Sequence, residues 1–167
     1  LHPPSGCPFR TRCPLAAARC PEEEPPLLIR YVQDRDLWRF ELNGSREIAA
    51  WLRSYPFSFG VWSMLAARLE VGMNGALREG SAILRFQSEQ VAVMCRQAVL
   101  REVGGHTVPV ANATVFFSEV VEELCKAHPE APFAAYYSDR ADGRRQWGLR
   151  SISGFDVSAV AKQYSGG

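Results

Sequence analysis

The most regular hydrophobic spacing lies in the middle of the chain. From Asn74 to about Glu102 the apolar residues Leu77, Leu84, Val91, Met94 and Ala98 recur at intervals of seven, seven, three and four. Such steps return side chains to one face of a helix, so a single long helix is predicted there. Gly104 and Gly105 end it, because glycine accepts the left-handed backbone of a helix stop. Upstream, Ser45 to Arg53 and Ser58 to Leu69 predict shorter amphipathic helices, each opening on a serine that can cap its N-terminus. Leu27 to Val32 is an apolar run that suits a short strand or a helix start, and it leads into Asp34, Arg35 and Asp36.

Beyond Gly105 the period changes. The pattern predicts a strand over Val108 to Ala113, a helix over Ser118 to Ala127, a strand over Pro132 to Ser138, a strand over Gln146 to Ser151 and a helix over Asp156 to Tyr164. Asp142-Gly143 between the last two strands is a hairpin signal. Strands interleaved with helices predict an α/β fold with a mixed sheet and helices packed against it. Residues 1 to 26 differ from all of this, being rich in proline and cysteine, and read as a separate loop-rich segment.

Composition narrows the function classes. At 47% hydrophobic and 22% charged residues, the 167-residue chain can bury one or two small cores. Its formal net charge of +1 supplies no broad attraction for nucleic acid or anionic lipid, so phosphate recognition would have to come from a few placed groups. No apolar run reaches the roughly 18 to 20 residues of a membrane span and no secretory leader pattern opens the chain, so a cytoplasmic location is expected. Cysteines number five, an odd count; Cys95 and Cys125 stand apart in apolar surroundings, as buried thiols do.

Two positions carry candidate chemistry. In YVQDRDLW, residues 31 to 38, an Asp at a strand end would face the ligand cleft of an open α/β sheet, where a hard oxygen donor suits Mn²⁺ or Mg²⁺. The alternative is that Asp34 or Asp36 caps a helix or pairs with Arg35. In WGLRS, Arg150 can fork onto a phosphate beside a Ser-Gly turn, or can cover apolar surface with its stem. The terminal Ser165-Gly166-Gly167 can open an anion-holding glycine loop or simply stop a helix. Gly104-Gly105-His106 reads as a turn, and no Walker A loop, zinc-protease helix or serine elbow occurs.

The succession LLIRYVQDRDLWRFEL, SREIAAWLRSYP, EGSAILRFQ, VPVANA, FAAYYSD and LRSISGFDVSAVAKQYSGG resembles, in order and spacing, a DHH superfamily phosphoesterase with its DHH-associated C-terminal domain. The resemblance covers about residues 27 to 167. It implies the end of the catalytic domain over 27–73, a connecting helix over 74–103 and an incomplete C-terminal substrate-binding domain over 104–167. It implies hydrolysis of phosphoesters in nucleotides or short oligonucleotides by metal-activated water at a two-Mn²⁺ centre (Mg²⁺ in its place), and it is compatible with a homodimer. On this resemblance Asp34 is the last metal-ligating aspartate, with Asp36 in reserve. Arg150 faces substrate phosphate, and Ser165, Gly166 and Gly167 begin the glycine-rich loop. The DHH triplet and the earlier aspartate motifs are absent, and the loop's histidine would fall past Gly167, so a fragment carrying mainly the substrate-binding part is expected. Asp34 and Arg150 would then line one anion-holding crevice. A non-catalytic module binding nucleic acid or a phosphorylated ligand is the alternative.

HPPSGCPFRTRCPLAAARCPEEEPP is similar instead to the C-terminal tail of oligopeptide and dipeptide ABC-transporter ATPases. That similarity would make Cys7, Cys13 and Cys20 thiolate ligands of an iron–sulfur cluster. Three thiolates fall one short of a full ligand set and no fourth is nearby, so a cluster is not the favoured expectation.

Overall fold

The structure is a computed structural model that describes residues 25–166. The chain divides into two compact units, one ending at Arg85 and the other beginning at Phe86. None of the described helices is long and apolar enough to cross a membrane.

The first unit is helical. It contains α1 (Leu27–Asp36), α2 (Ser45–Arg53), α3 (Phe59–Val71) and the first half of α4 (Asn74–Arg96). Sequence boundaries hold well here, and the apolar run at Leu27 resolves as helix rather than strand. Ser58 caps α3 by accepting the Val61 N–H, as its position suggests. Ser45 does not cap α2; left-handed Gly44 does, and Ser45 is buried in the first turn. Ile48, Trp51, Leu65 and Leu69 form the core with Leu28 and Tyr31. Trp51 is fully buried, and its indole N–H donates to the Glu79 carboxylate on α4 at 2.9 Å. Tyr55 and Arg68 donate to the same carboxylate, so one acid ties three helices together. These three donors, the Trp51 indole first, hold the Glu79 carboxyl below its ordinary pKa.

The second unit is α/β. After the rest of α4 come β1 (Val99–Val103), β2 (His106–Asn112), α5 (Phe117–Ala127), β3 (Ala134–Asp139), β4 (Arg145–Arg150) and α6 (Val157–Gln163). The four strands lie in chain order in one mixed sheet. β1 and β2 form a hairpin, α5 carries the chain across to β3 running parallel to β2, and β3 and β4 form a second hairpin. Each face has its helix. Val120, Val121, Leu124 and Cys125 of α5 pack with Ala111, Ala113 and Ala134. Val160 of α6 packs with Val108, Val110, Phe133 and Ala135 on the other side.

The expected extent of the long helix is corrected. The long helix stops at Arg96 rather than near Glu102, and Val99–Val103 is a strand. Gly104 and Gly105, at φ +59° and +79°, are the two central residues of a tight hairpin loop, a backbone that only glycine adopts twice running without strain. Such a loop reverses a strand onto its neighbour, and here it pairs Val103 with His106 and Val99 with Val110.

Candidate functional site

Asp34 sits on the last turn of α1 and is only 6% exposed. Just beyond the helix the chain folds back on it: Oδ1 accepts the Glu41 N–H at 3.1 Å and Oδ2 accepts the Leu42 N–H at 3.3 Å. The Ser45 hydroxyl stands beside the carboxylate without completing a well-shaped bond. Burial pushes this carboxyl up, but Ser45, the two backbone donors and the charge of Arg39 together hold it below its ordinary pKa. The loop so anchored is strained. Trp38 and Phe40 take φ of +58° and +56°, rare for aromatic residues, with their rings edge to face at 5.1 Å. Arg46 lies over the Phe40 ring at 3.8 Å, and the Tyr31 hydroxyl donates to the Asn43 carbonyl at 2.7 Å. Asp36 is exposed, 3.6 Å from Arg35, in a weak surface pair.

The implied Mn²⁺ fits these surroundings poorly. Both oxygens of Asp34 already serve the backbone, and among the described residues no three His, Cys, Asp or Glu side chains converge as a metal site. Asp34 is therefore helical and loop-holding where a strand-end aspartate open to a cleft was expected.

Arg150 ends β4 opposite Ala134, which belongs to the cluster beneath α5. Paired residues share a face, so Arg150 emerges on the α5 side of the sheet. Its carbonyl accepts from the Cys125 thiol at 3.3 Å, and burial pushes that thiol's pKa up. The chain then turns through Ser151 and Ser153, whose hydroxyls both donate to the Pro132 carbonyl, before Asp156 caps α6 by accepting the Ser158 N–H at 2.9 Å.

Ser165 and Gly166 close α6. Ser165, at φ +61°, donates its N–H to the Lys162 carbonyl at 3.2 Å, and Gly166 donates to Ala161 at 2.9 Å. This is a Schellman helix stop, with both N–H groups committed within the helix end. They follow a helix packed on the sheet face opposite Arg150, so the structure does not bring the expected phosphate-binding set to one surface. Asp34 and Arg150 belong to different compact units. Gly167 and the cysteines Cys7, Cys13 and Cys20 lie outside the described residues.

A feature not anticipated from sequence is a cavity of about 790 Å³ within the second unit, on its α6 face. Arg145, Trp147 and Leu149 line it as alternate residues of β4, joined by Glu102 from β1 and by Tyr164 and Gly166 from the end of α6. The period-two alternation RQWGL was the available signal, but it shows only which residues share a face, not what covers them.

No known family profile matches the chain, and no solved structure matches it. The chain is similar to the uncharacterized protein R106 of Acanthamoeba polyphaga mimivirus, at 24% identity over 157 residues. That match takes in 88% of this chain and 36% of the viral protein, so the chain spans about a third of the length of the curated relative it matches.

Proposed function

We propose that this chain carries mainly the substrate-binding part of a DHH-type phosphoesterase in a cytoplasmic setting, and that its ligand is a phosphoester in a nucleotide or short oligonucleotide. The supporting observation is the ordered run of sequence blocks from Leu27 onward, with Arg150 at the end of β4 followed by a hydroxyl-bearing turn. A guanidinium fork can grip a phosphate through two parallel bonds, and at this near-neutral net charge a placed arginine must do what a basic surface does elsewhere. With Ser165 and Gly166 committed to the helix stop, Arg150 carries most of the expected affinity. Mn²⁺ would belong to the intact enzyme, where Asp34 would have to release the Glu41 and Leu42 N–H groups before it could contribute a ligand.

The non-catalytic binding module is kept as a second reading because both oxygens of Asp34 already receive backbone N–H groups. The two readings part on one measurement. A fluorescent trinucleotide is titrated with the whole chain, first in chelator and then with Mn²⁺. Binding in chelator that falls roughly tenfold or more in Arg150→Ala supports the phosphate role of this arginine. Affinity unchanged by that substitution removes it. Cleavage of the trinucleotide with Mn²⁺, lost in Asp34→Asn, favours the enzyme over the module.

A further inference from the structure

We propose that the cavity between β4, β1 and the end of α6 is a nucleobase site, taking the flat, uncharged base of a nucleoside. The inference rests on the nucleotide-ligand reading above and assigns the base to a different face of the sheet from Arg150. At about 790 Å³ the cavity falls in the range of sites for small organic molecules. Trp147 is 45% exposed and Tyr164 66% exposed, so two large aromatic rings from separate elements open onto the same space. The rings are braced. Tyr137 packs behind Trp147 with centroids 5.4 Å apart, and the Tyr164 hydroxyl accepts the Gly104 N–H at 3.0 Å. Rings held this way offer stacking surface at little further cost in side-chain order.

Charge selects the ligand class. Arg145 is the cation of the cavity, yet Asp139 already holds it through two bonds, at 2.7 and 3.0 Å, while its guanidinium lies 4.3 Å over the Tyr137 ring. Glu102 borders the same space, but it pairs with Thr107 and alternates with Val103, so its carboxylate belongs to the other face of the sheet. With Arg145 already neutralised by Asp139, the cavity offers a phosphate no surplus positive charge. Aromatic walls without a free charge therefore fit a base, and the phosphate of the same ligand would lie outside this cavity.

Calorimetric titration of the whole chain, in chelator, tests this with guanosine, inosine, guanosine 5′-monophosphate and ribose 5-phosphate. Guanosine, inosine and guanosine 5′-monophosphate should bind while ribose 5-phosphate does not. Trp147→Ala and Tyr164→Ala should each weaken guanosine roughly tenfold, and Glu102→Gln, on the other face of the sheet, should leave it unchanged. Shifts of the Trp147 indole signal in nuclear magnetic resonance spectra would locate the contact. Both rings are substantially exposed, and an unchanged circular dichroism spectrum would confirm that each variant folds; should Trp147→Ala fail to fold, Tyr164→Ala and the indole shift decide. Absence of guanosine binding overturns the proposal, as does monophosphate binding that survives Trp147→Ala or that ribose 5-phosphate matches. In those last two cases the phosphate reading, tested separately through Arg150, still stands.

Discussion

Gly80→Ala is expected to destabilise the helical unit by about 3 kcal/mol, the opposite sign to what helix propensity alone would give. In a free helix alanine is favoured over glycine by roughly 1 kcal/mol. Here α4 runs so close to the start of α2 that a Cβ on Gly80 would lie 2.6 Å from the Glu47 carbonyl carbon and 3.0 Å from its Cα. The obstacle is backbone, so no rotamer change relieves it, and one helix must move away from the other. That movement would disturb the Trp51 to Glu79 bond, since Glu79 is the neighbour of Gly80. Gly75, in the first turn of the same helix, has open space around its would-be Cβ, so Gly75→Ala should be neutral or slightly stabilising. Urea unfolding followed by tryptophan fluorescence compares the two. A Gly80→Ala protein as stable as Gly75→Ala would show that α2 and α4 do not approach this closely.

The contrast between the two glycines explains how much of the fold was legible. Periodicity found α2, α3 and α5 within a residue or two, because each buries one stripe and exposes the other. It failed for β1, four of whose five residues are exposed. A strand at a sheet edge with little to bury carries no alternation, and Ala98, which does pack on the core, prolonged the helical spacing past the true end of α4. The deciding signal was the Gly104-Gly105 pair. Two successive left-handed residues also suit a helix stop, and only the pairing across the turn, with Val108 and Val110 opposite Arg101 and Val99, separates the two uses.

The candidate site was legible as residue types but not as geometry. Arg150 was expected at a strand end and is there. Ser165 and Gly166 were expected in a loop, and their N–H groups instead close the helix that precedes them. The reason is local: a helix end leaves carbonyls without partners, and the nearest N–H groups in suitable backbone meet that need first. Trp147 and Tyr164 carry no local signal because they come from two elements and meet only once the sheet and α6 are assembled. Stacking surface of that kind has no sequence signature.

Asp34→Ala should cost about 3 kcal/mol, because it strands the N–H groups of Glu41 and Leu42, each bonded to a buried charged acceptor in the native protein. Asp34→Asn keeps one oxygen and should lose roughly half as much. The effect carries a pH signature. The folded-state pKa of Asp34 lies below its ordinary value, so the folded protein holds this carboxylate ionised where the unfolded chain would already bind a proton. The stabilisation is fully present above the unfolded pKa of about 3.9 and drains away as pH falls through the depressed folded value. Neutral Asn cannot follow that course, so wild type and Asp34→Asn should converge in stability as the solution is acidified below about pH 4. Thermal melts from pH 7 downward, in chelator so that no metal contributes, measure the convergence. Loss of the Asp34 carboxylate should also loosen Trp38 and Phe40 from their left-handed backbone and sharpen proteolytic cleavage between Leu37 and Asn43. A constant gap between the two proteins across the whole acid range would show that the loop is held by something other than the charge of Asp34.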